Sequence, residues 1–212
     1  MLENNELAAM KRNNIILIVV IGVMLGVVFN SFNNGKTDEA YIKELTEHRR
    51  KKNIDFQTGD DSPFVNDFSK FTGLKYYAPD LKFKVRAKFI DIEDKKIRTL
   101  PTSDNLHKQY LEYGYVEFEI DGEMYRLLIL EVVGDDFEGS LFLAFGDGTS
   151  AIDTYGAGRY LEVEHDGSLF LTLDFNYAYN PYCAYSDEFS CPFPPKENLL
   201  TVAIEAGEKN FE

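Results

Sequence analysis

Tryptophan is absent, cysteine occurs twice and histidine three times among 212 residues. Two cysteines exclude a disulfide-dense mini-scaffold. His48, His107 and His165 stand far apart, without the spacing of a metal site. No G-x-S-x-G, H-E-x-x-H or phosphate-loop lysine motif occurs, so the common hydrolase, metalloprotease and nucleotide-binding signatures are missing. Basic residues are scarce where acidic ones abound. Residues 1–111 carry 18 Lys/Arg against 15 Asp/Glu, and residues 112–212 carry 4 against 21, giving −14 in total. That balance excludes a nucleic-acid protein, whose affinity comes from cations neutralising phosphates. The acidic half reads as a solvated surface, with a cationic ligand or metal as the competing reading.

What is present is ordinary globular material: 44% apolar and 14% aromatic, enough for one real core. Only one long hydrophobic run occurs, Ile15 to Phe29 (IILIVVIGVMLGVVF), which Asn30, Ser31 and Phe32 extend toward an interface. Eighteen helical residues reach about 27 Å, close to the hydrocarbon thickness of a bilayer. Lys11 and Arg12 lie on its N-terminal side, so the positive-inside rule expects a cytoplasmic tail at 1–14 and an anchor at 15–32. A linker follows at 33–37 and an extracytoplasmic domain at 38–212. The expected partner is the lipid bilayer, through Ile15 to Phe32. A cleaved signal peptide competes, which would make the domain secreted. It lacks small residues at a cleavage site, since the run ends Val27-Val28-Phe29-Asn30-Ser31-Phe32.

Beyond the joint, Thr37, Asp38 and Glu39 suit a helix start, and the spacing predicts a helix over 38–53 ending in Arg49, Arg50, Lys51 and Lys52. Residues 64–71 read as one or two helical turns. From Leu81 the apolar period becomes two: Leu81, Phe83, Val85, Ala87 and Phe89 alternate with basic residues. Val116, Phe118 and Ile120 alternate with glutamates, and Asp121-Gly122 marks a two-residue hairpin into 123–132. Shorter strands are expected at 97–100, 141–145, 158–164, 169–175 and 199–206, with His165-Asp166-Gly167 as a turn. With no helical signal between strands, the fold class is mainly β: an antiparallel barrel or sandwich with an N-terminal packing helix, preceded by the anchor.

The least ordinary chemistry lies in 146–198. Gly146-Asp147-Gly148-Thr149-Ser150 leads to Thr154-Tyr155-Gly156-Ala157-Gly158-Arg159-Tyr160-Leu161. Then come Asp174-Phe175-Asn176-Tyr177-Ala178-Tyr179-Asn180-Pro181-Tyr182-Cys183 and Cys191-Pro192-Phe193-Pro194-Pro195-Lys196-Glu197-Asn198. In the blocks T-Y-x-x-G-R-Y-L, D-F-N-x-A-Y-N-P-x-C and C-P-x-P-P-x-E-N, the chain resembles a prokaryotic domain-of-unknown-function family. A weaker match at 62–77 extends the resemblance to about residue 38. Ala151 stands where the family is expected to have Gly, Asp153 where Glu is usual, and Tyr182 where a second Pro is common. The resemblance implies a domain extent and a site location, and brings no activity with it.

Arg159, Tyr160, Asp174, Asn176, Tyr179 and Asn180 are the candidate ligand-binding residues. Each has a plainer role. Arg159 can pair with an internal carboxylate such as Asp174, the asparagines can cap turns, and the tyrosines can cover a Pro-rich loop. Cys183 and Cys191 read first as an extracytoplasmic disulfide. A metal site, a cysteine nucleophile and two reduced thiols are the other readings. No metal ligand set and no cofactor is implied. The leading functional expectation is a membrane-anchored small-ligand-binding or accessory domain. The alternatives are a hydrolase or isomerase on a small anionic substrate, with Arg159 as clamp, Asp174 as acid or base and Asn176 at the oxyanion, and a cell-envelope structural protein.

Overall fold

The structure, a computed structural model, describes residues 38–134 and 137–211. The expected anchor, tail and linker lie outside the described residues. Among the described residues, no helix is long and apolar enough to cross a membrane. The chain divides into two compact units, 1–46 and 47–212. In the first, the described residues are helical from 38 onward. The helical turns, labelled α1, run on to residue 58, five beyond the expected end, and Gly59 stops them.

The second unit carries seven strands: β1 Lys84–Asp91, β2 Ile97–Pro101, β3 His107–Ile120, β4 Glu123–Val132, β5 Leu141–Phe145, β6 Arg159–Val163 and β7 Phe170–Asp174. All pair antiparallel in the order β6-β5-β4-β3-β1-β7, with β2 also on β3. β6 and β7 therefore stand at opposite ends of the sheet, yet only six residues join them. The sheet must curl to let so short a loop reach, and it forms a half-barrel rather than the closed barrel or two-sheet sandwich expected. The turn at His165-Asp166-Gly167 joins two edges instead of making a hairpin.

The alternation in β1, β3, β5, β6 and β7 places Val85, Ala87, Val116, Phe118, Leu143, Phe145, Leu161 and Leu173 in one core inside the curl. In β4, Leu127 and Ile129 join that core. Leu128 and Leu130 face the other way, against Leu100 and Tyr110. Both faces are covered at this strand, hence its unbroken apolar run. The β3–β4 turn has Asp121 at φ 55° and Gly122 at φ 83°, which suits a two-residue hairpin. β3 shifts register between Glu112 and Gly114, where a Cβ on Gly114 would lie 2.4 Å from the Phe89 ring. Any larger residue there would have to push the ring aside.

Two expectations need correction. Leu81–Phe83 form a 3-10 turn capped by the Asp80 side chain, so β1 starts three residues later. Residues 199–206 form no strand, and Leu199 makes only an isolated bridge to Gly146. The segment keeps the burial rhythm of a strand, with Leu200, Ile204 and Ala206 buried and Thr201, Ala203 and Glu205 exposed. Its backbone partners come from elsewhere.

Candidate functional site

Arg159 opens β6 with its side chain 1% exposed. One guanidinium nitrogen, Nη2, meets the Asp147 carboxylate at 2.6 Å and the Ile204 carbonyl at 2.9 Å. The other, Nη1, donates to the carbonyls of Ala206 and Glu208. The carbonyls of residues 204, 206 and 208 converge on one guanidinium, the last of them after a turn at Gly207 (φ 76°), and the planar fork of Arg159 takes all three. The arginine does for this segment what a neighbouring strand does elsewhere. Asp147 is fixed in turn, because its Oδ1 accepts from the Thr149 amide and hydroxyl at 2.6 and 2.5 Å. The carboxylate partner suggested by the sequence was Asp174; the partner found is Asp147.

Asn176 is also turned inward. Its amide brackets the backbone of Asp80, accepting from the N–H at 2.9 Å and donating to the carbonyl at 2.8 Å. Asp174 accepts from the Asn176 backbone and side chain at 3.1 and 3.0 Å, capping the 3-10 turn Phe175–Tyr177, and lies 3.7 Å from Lys84. Asn180 receives the Glu208 carboxylate on its N–H at 3.0 Å and donates to the Lys209 carbonyl at 2.8 Å. Tyr160 donates to the Pro192 carbonyl at 2.6 Å, and its backbone pairs with Tyr179, which covers the free edge of β6. Burial drives the Tyr160 and Tyr179 hydroxyls above their ordinary range. The six candidates therefore form two pairs, Asp174–Asn176 and Tyr160–Tyr179, while Arg159 and Asn180 share the 204–209 tail.

Three further residues belong here. Asn198 is fully buried between β4 and β5, where it accepts from the Leu128 N–H at 2.7 Å. It donates to the carbonyls of Leu128 and Ala144 at 2.9 and 2.8 Å. Glu208 is fully buried and pairs with Lys52 of α1 at 3.0 Å and with the Tyr185 hydroxyl. Nothing in the sequence around Lys52 or Glu208 separates them from surface residues. Asp147 and Asn198 lie inside the quoted blocks, and D-x-T is a turn signal for the first.

Beside these struts, a cleft of about 300 Å³ opens between the 146–158 loops and the C-terminal segment. Gly146, Ser150, Ala157, Phe193, Pro194 and Leu199 line it. Gly158, at φ +93°, brings its backbone so close to Phe145 and Pro194 that a Cβ would lie 2.6 Å from both. Among the described residues, no three His, Cys, Asp or Glu side chains converge in a way that could hold a metal ion.

Cys183 and Cys191 do meet, without bonding. Both stand as free thiols, which gives the expected disulfide no support, and the Cys183 N–H donates to Cys191 Sγ at 3.2 Å. Tyr155 Oη lies 3.8 Å from Cys183 Sγ.

Residues 69–209 match the family described as "Protein of unknown function (DUF1684)". The chain belongs to this family. The match spans β1 through the Arg159-bound tail and every residue of the site except Lys52. No curated protein is significantly similar. Among solved structures, the solution NMR structure of an uncharacterised protein of Haloarcula marismortui is 37% identical. The match covers 82% of this chain and 96% of that one, with a TM-score of 0.63.

Proposed function

We propose that the chain is a membrane-anchored binding or accessory domain, held by residues 15–32 with residues 38–212 on the extracytoplasmic side. Its small ligand enters the cleft between Gly146, Ser150, Ala157, Phe193, Pro194 and Leu199. One observation carries this reading: the polar residues of the C-terminal blocks spend their hydrogen bonds within the protein, and the cleft beside them combines small and apolar walls with Ser150 and the Arg159-bound Asp147. Arg159, with four internal acceptors, is poorly placed to clamp an anion. That weighs against the hydrolase or isomerase reading.

The test begins with full-length protein extracted from its native membrane. Denaturation should release a stoichiometric small molecule, identified by mass spectrometry, and adding it back should raise the melting temperature. Leu199→Asp, at the exposed rim, should abolish that rise while leaving the unliganded melting temperature unchanged. Recovery of no compound would defeat the binding reading. Turnover of an anionic substrate that Asp174→Asn abolishes without unfolding would replace it with the enzyme reading. Protease added to spheroplasts should digest the domain and spare the N-terminal tail. A protected domain would defeat the proposed topology.

A further inference from the structure

The two cysteines are unequal, and the inequality is built by their surroundings. Cys191 is buried, and its strand-like segment is fastened to the end of β2. Its carbonyl accepts from the Ser103 N–H at 3.0 Å, its own N–H donates to Ser103 Oγ at 3.2 Å, and Phe193 N–H reaches Pro101 O at 2.9 Å. Cys183 sits on the 3-10 turn Tyr182–Ala184 and is partly exposed. Seven residues separate them, and both ends of that loop are held. Ser103 Oγ donates to Phe189 O at 3.1 Å, and the Tyr182 and Phe189 rings meet edge-on with centroids 5.0 Å apart. The loop's tip, Asp187 and Glu188, stays exposed. The sulfurs are thus brought together by the fold with no bond between them, one reachable and one sheltered. Among the described residues no third thiol, imidazole or carboxylate joins them to make a metal site.

We propose that Cys183 is the attacking thiol and Cys191 the resolving thiol of a dithiol site that exchanges with small-molecule disulfides. Cys183 thiolate attacks one sulfur of a disulfide RSSR, forming a mixed disulfide and expelling RS⁻. Cys191 then loses its proton to solvent and attacks Cys183 Sγ, expelling the second RS⁻. Two protein thiols are oxidised, one RSSR is reduced to two thiols, and two protons leave the protein. The electrostatics agree with the assigned order. The hydrogen bond from Cys191, aided by that from Tyr155, outweighs burial and holds the Cys183 thiol down to about 6. The same contact and burial push Cys191 upward. This site is independent of the cleft and stands whether or not the cleft binds a ligand.

The test uses reduced full-length protein and 2-hydroxyethyl disulfide, an uncharged probe that the acidic loop tip neither attracts nor repels. At pH 6.5 a thiol near 6 is mostly ionised while a free cysteine is about 1% ionised; allowing for the weaker nucleophile, Cys183 should react about five- to ten-fold faster than free cysteine. Its rate should level off above about pH 7, where that of free cysteine still climbs. Cys191→Ser should trap the mixed disulfide on Cys183, and Cys183→Ser should form almost none. Differential alkylation of the wild-type chain, mapped by peptide mass, reads the same order without any variant. Cys191 labelling first would overturn the proposal. So would a Cys183 rate no faster than that of free cysteine, or a pair already joined in isolated protein that a thiol such as reduced glutathione fails to open.

Discussion

The β3–β4 hairpin and the C-terminal segment 175–211 solve the same problem by different means. Every buried backbone N–H and C=O needs a partner. In the hairpin, ten residue pairs from Tyr110↔Val132 to Ile120↔Glu123 supply those partners from backbone to backbone. In the C-terminal segment no strand forms. Scattered backbone contacts, such as Leu200 N–H to Gly146 O and Gly148 N–H to Val202 O, are joined by single polar side chains: Arg159 takes three of the segment's carbonyls, while Asn198 and Asn176 reach out from it to backbone groups of β4, β5 and Asp80. A ladder spreads its dependence over many residues, while a strut concentrates it in one. The hairpin should therefore tolerate substitution where the C-terminal segment does not.

The largest break is expected at Arg159. Arg159→Met leaves the buried Asp147 carboxylate without its cation and three carbonyls without donors, at a cost of about 3–5 kcal/mol. Urea denaturation measures it. Met124→Ala on the exposed face of β4 is the matched control, expected within about 0.5 kcal/mol. Equal losses at the two positions would show that the struts are no more concentrated than the ladder.

Asn198→Ala comes next. It strands the Leu128 N–H and removes the donors to two carbonyls, at about 2–4 kcal/mol by the cost of unpaired buried groups. Hydrogen exchange sharpens the point. The Leu128 amide should lose protection in this variant while the amides paired across Val116↔Leu127 and Phe118↔Tyr125 keep theirs.

The same contrast explains what was legible in the sequence. β4 and β5 were readable to the residue, and the Asp121-Gly122 turn from two letters, because period-two alternation and turn chemistry are local signals. β3 was seen only from Val116. Its first half carries His107, Lys108 and Gln109, which are exposed and show no alternation. Curling was hidden because it follows from which strands pair, not from any one strand. The 199–206 segment departs from a strand for a physical reason: its side chains do alternate, but Leu200 N–H and Val202 O bond the loop at Gly146 and Gly148, and the carbonyls of Ile204 and Ala206 bond a guanidinium 45 or more residues earlier in the chain. In the blocks at 154–161 and 174–183, Arg159, Asp174, Asn176 and Asn180 spend their hydrogen bonds on bracing the fold. Lys52 and Glu208 gave no signal, since a lone Lys and a lone Glu read as surface until the fold brings them within 3.0 Å.

Alkaline pH separates the two regions more gently. Burial raises the hydroxyls of Tyr76, Tyr160, Tyr179 and Tyr185, and the Glu208 carboxylate adds to the effect at Tyr76 and Tyr185. The Tyr76 hydroxyl is buried with no hydrogen-bond partner among the described residues. A folded-state value above the unfolded one contributes stability that is fully present below about pH 10 and is lost as pH rises beyond it. The urea midpoint should hold to about pH 9.5 and then fall. The phenolate absorbance of the native protein should lag behind that of the urea-unfolded chain. Coincident titrations would remove the C-terminal tyrosines from the account.

The smallest expected effect is a gain, at Ala151. This residue sits in the turn leading to Thr154 with φ +62°, in the left-handed region that costs an L side chain about 1–2 kcal/mol. It is also the position where the family resemblance leads one to expect glycine. The side chain is exposed, and its Cβ lies 3.2 Å from where a Cβ on Gly156 would fall, so the turn already depends on one glycine to make room for this alanine. Ala151→Gly removes the strain but gives the unfolded chain more freedom, which returns about 0.5–1 kcal/mol of the gain. The net should be a stabilisation of about 0.5–1 kcal/mol, read as a raised urea midpoint with an unchanged slope. Ala151→Val, whose branched side chain tolerates positive φ least, should shift the midpoint the other way. If both variants lower stability, the turn draws more from the alanine methyl than its exposure and backbone angle allow. The 149–154 loop would then belong with the strut-held C-terminal segment, where single side chains decide the outcome.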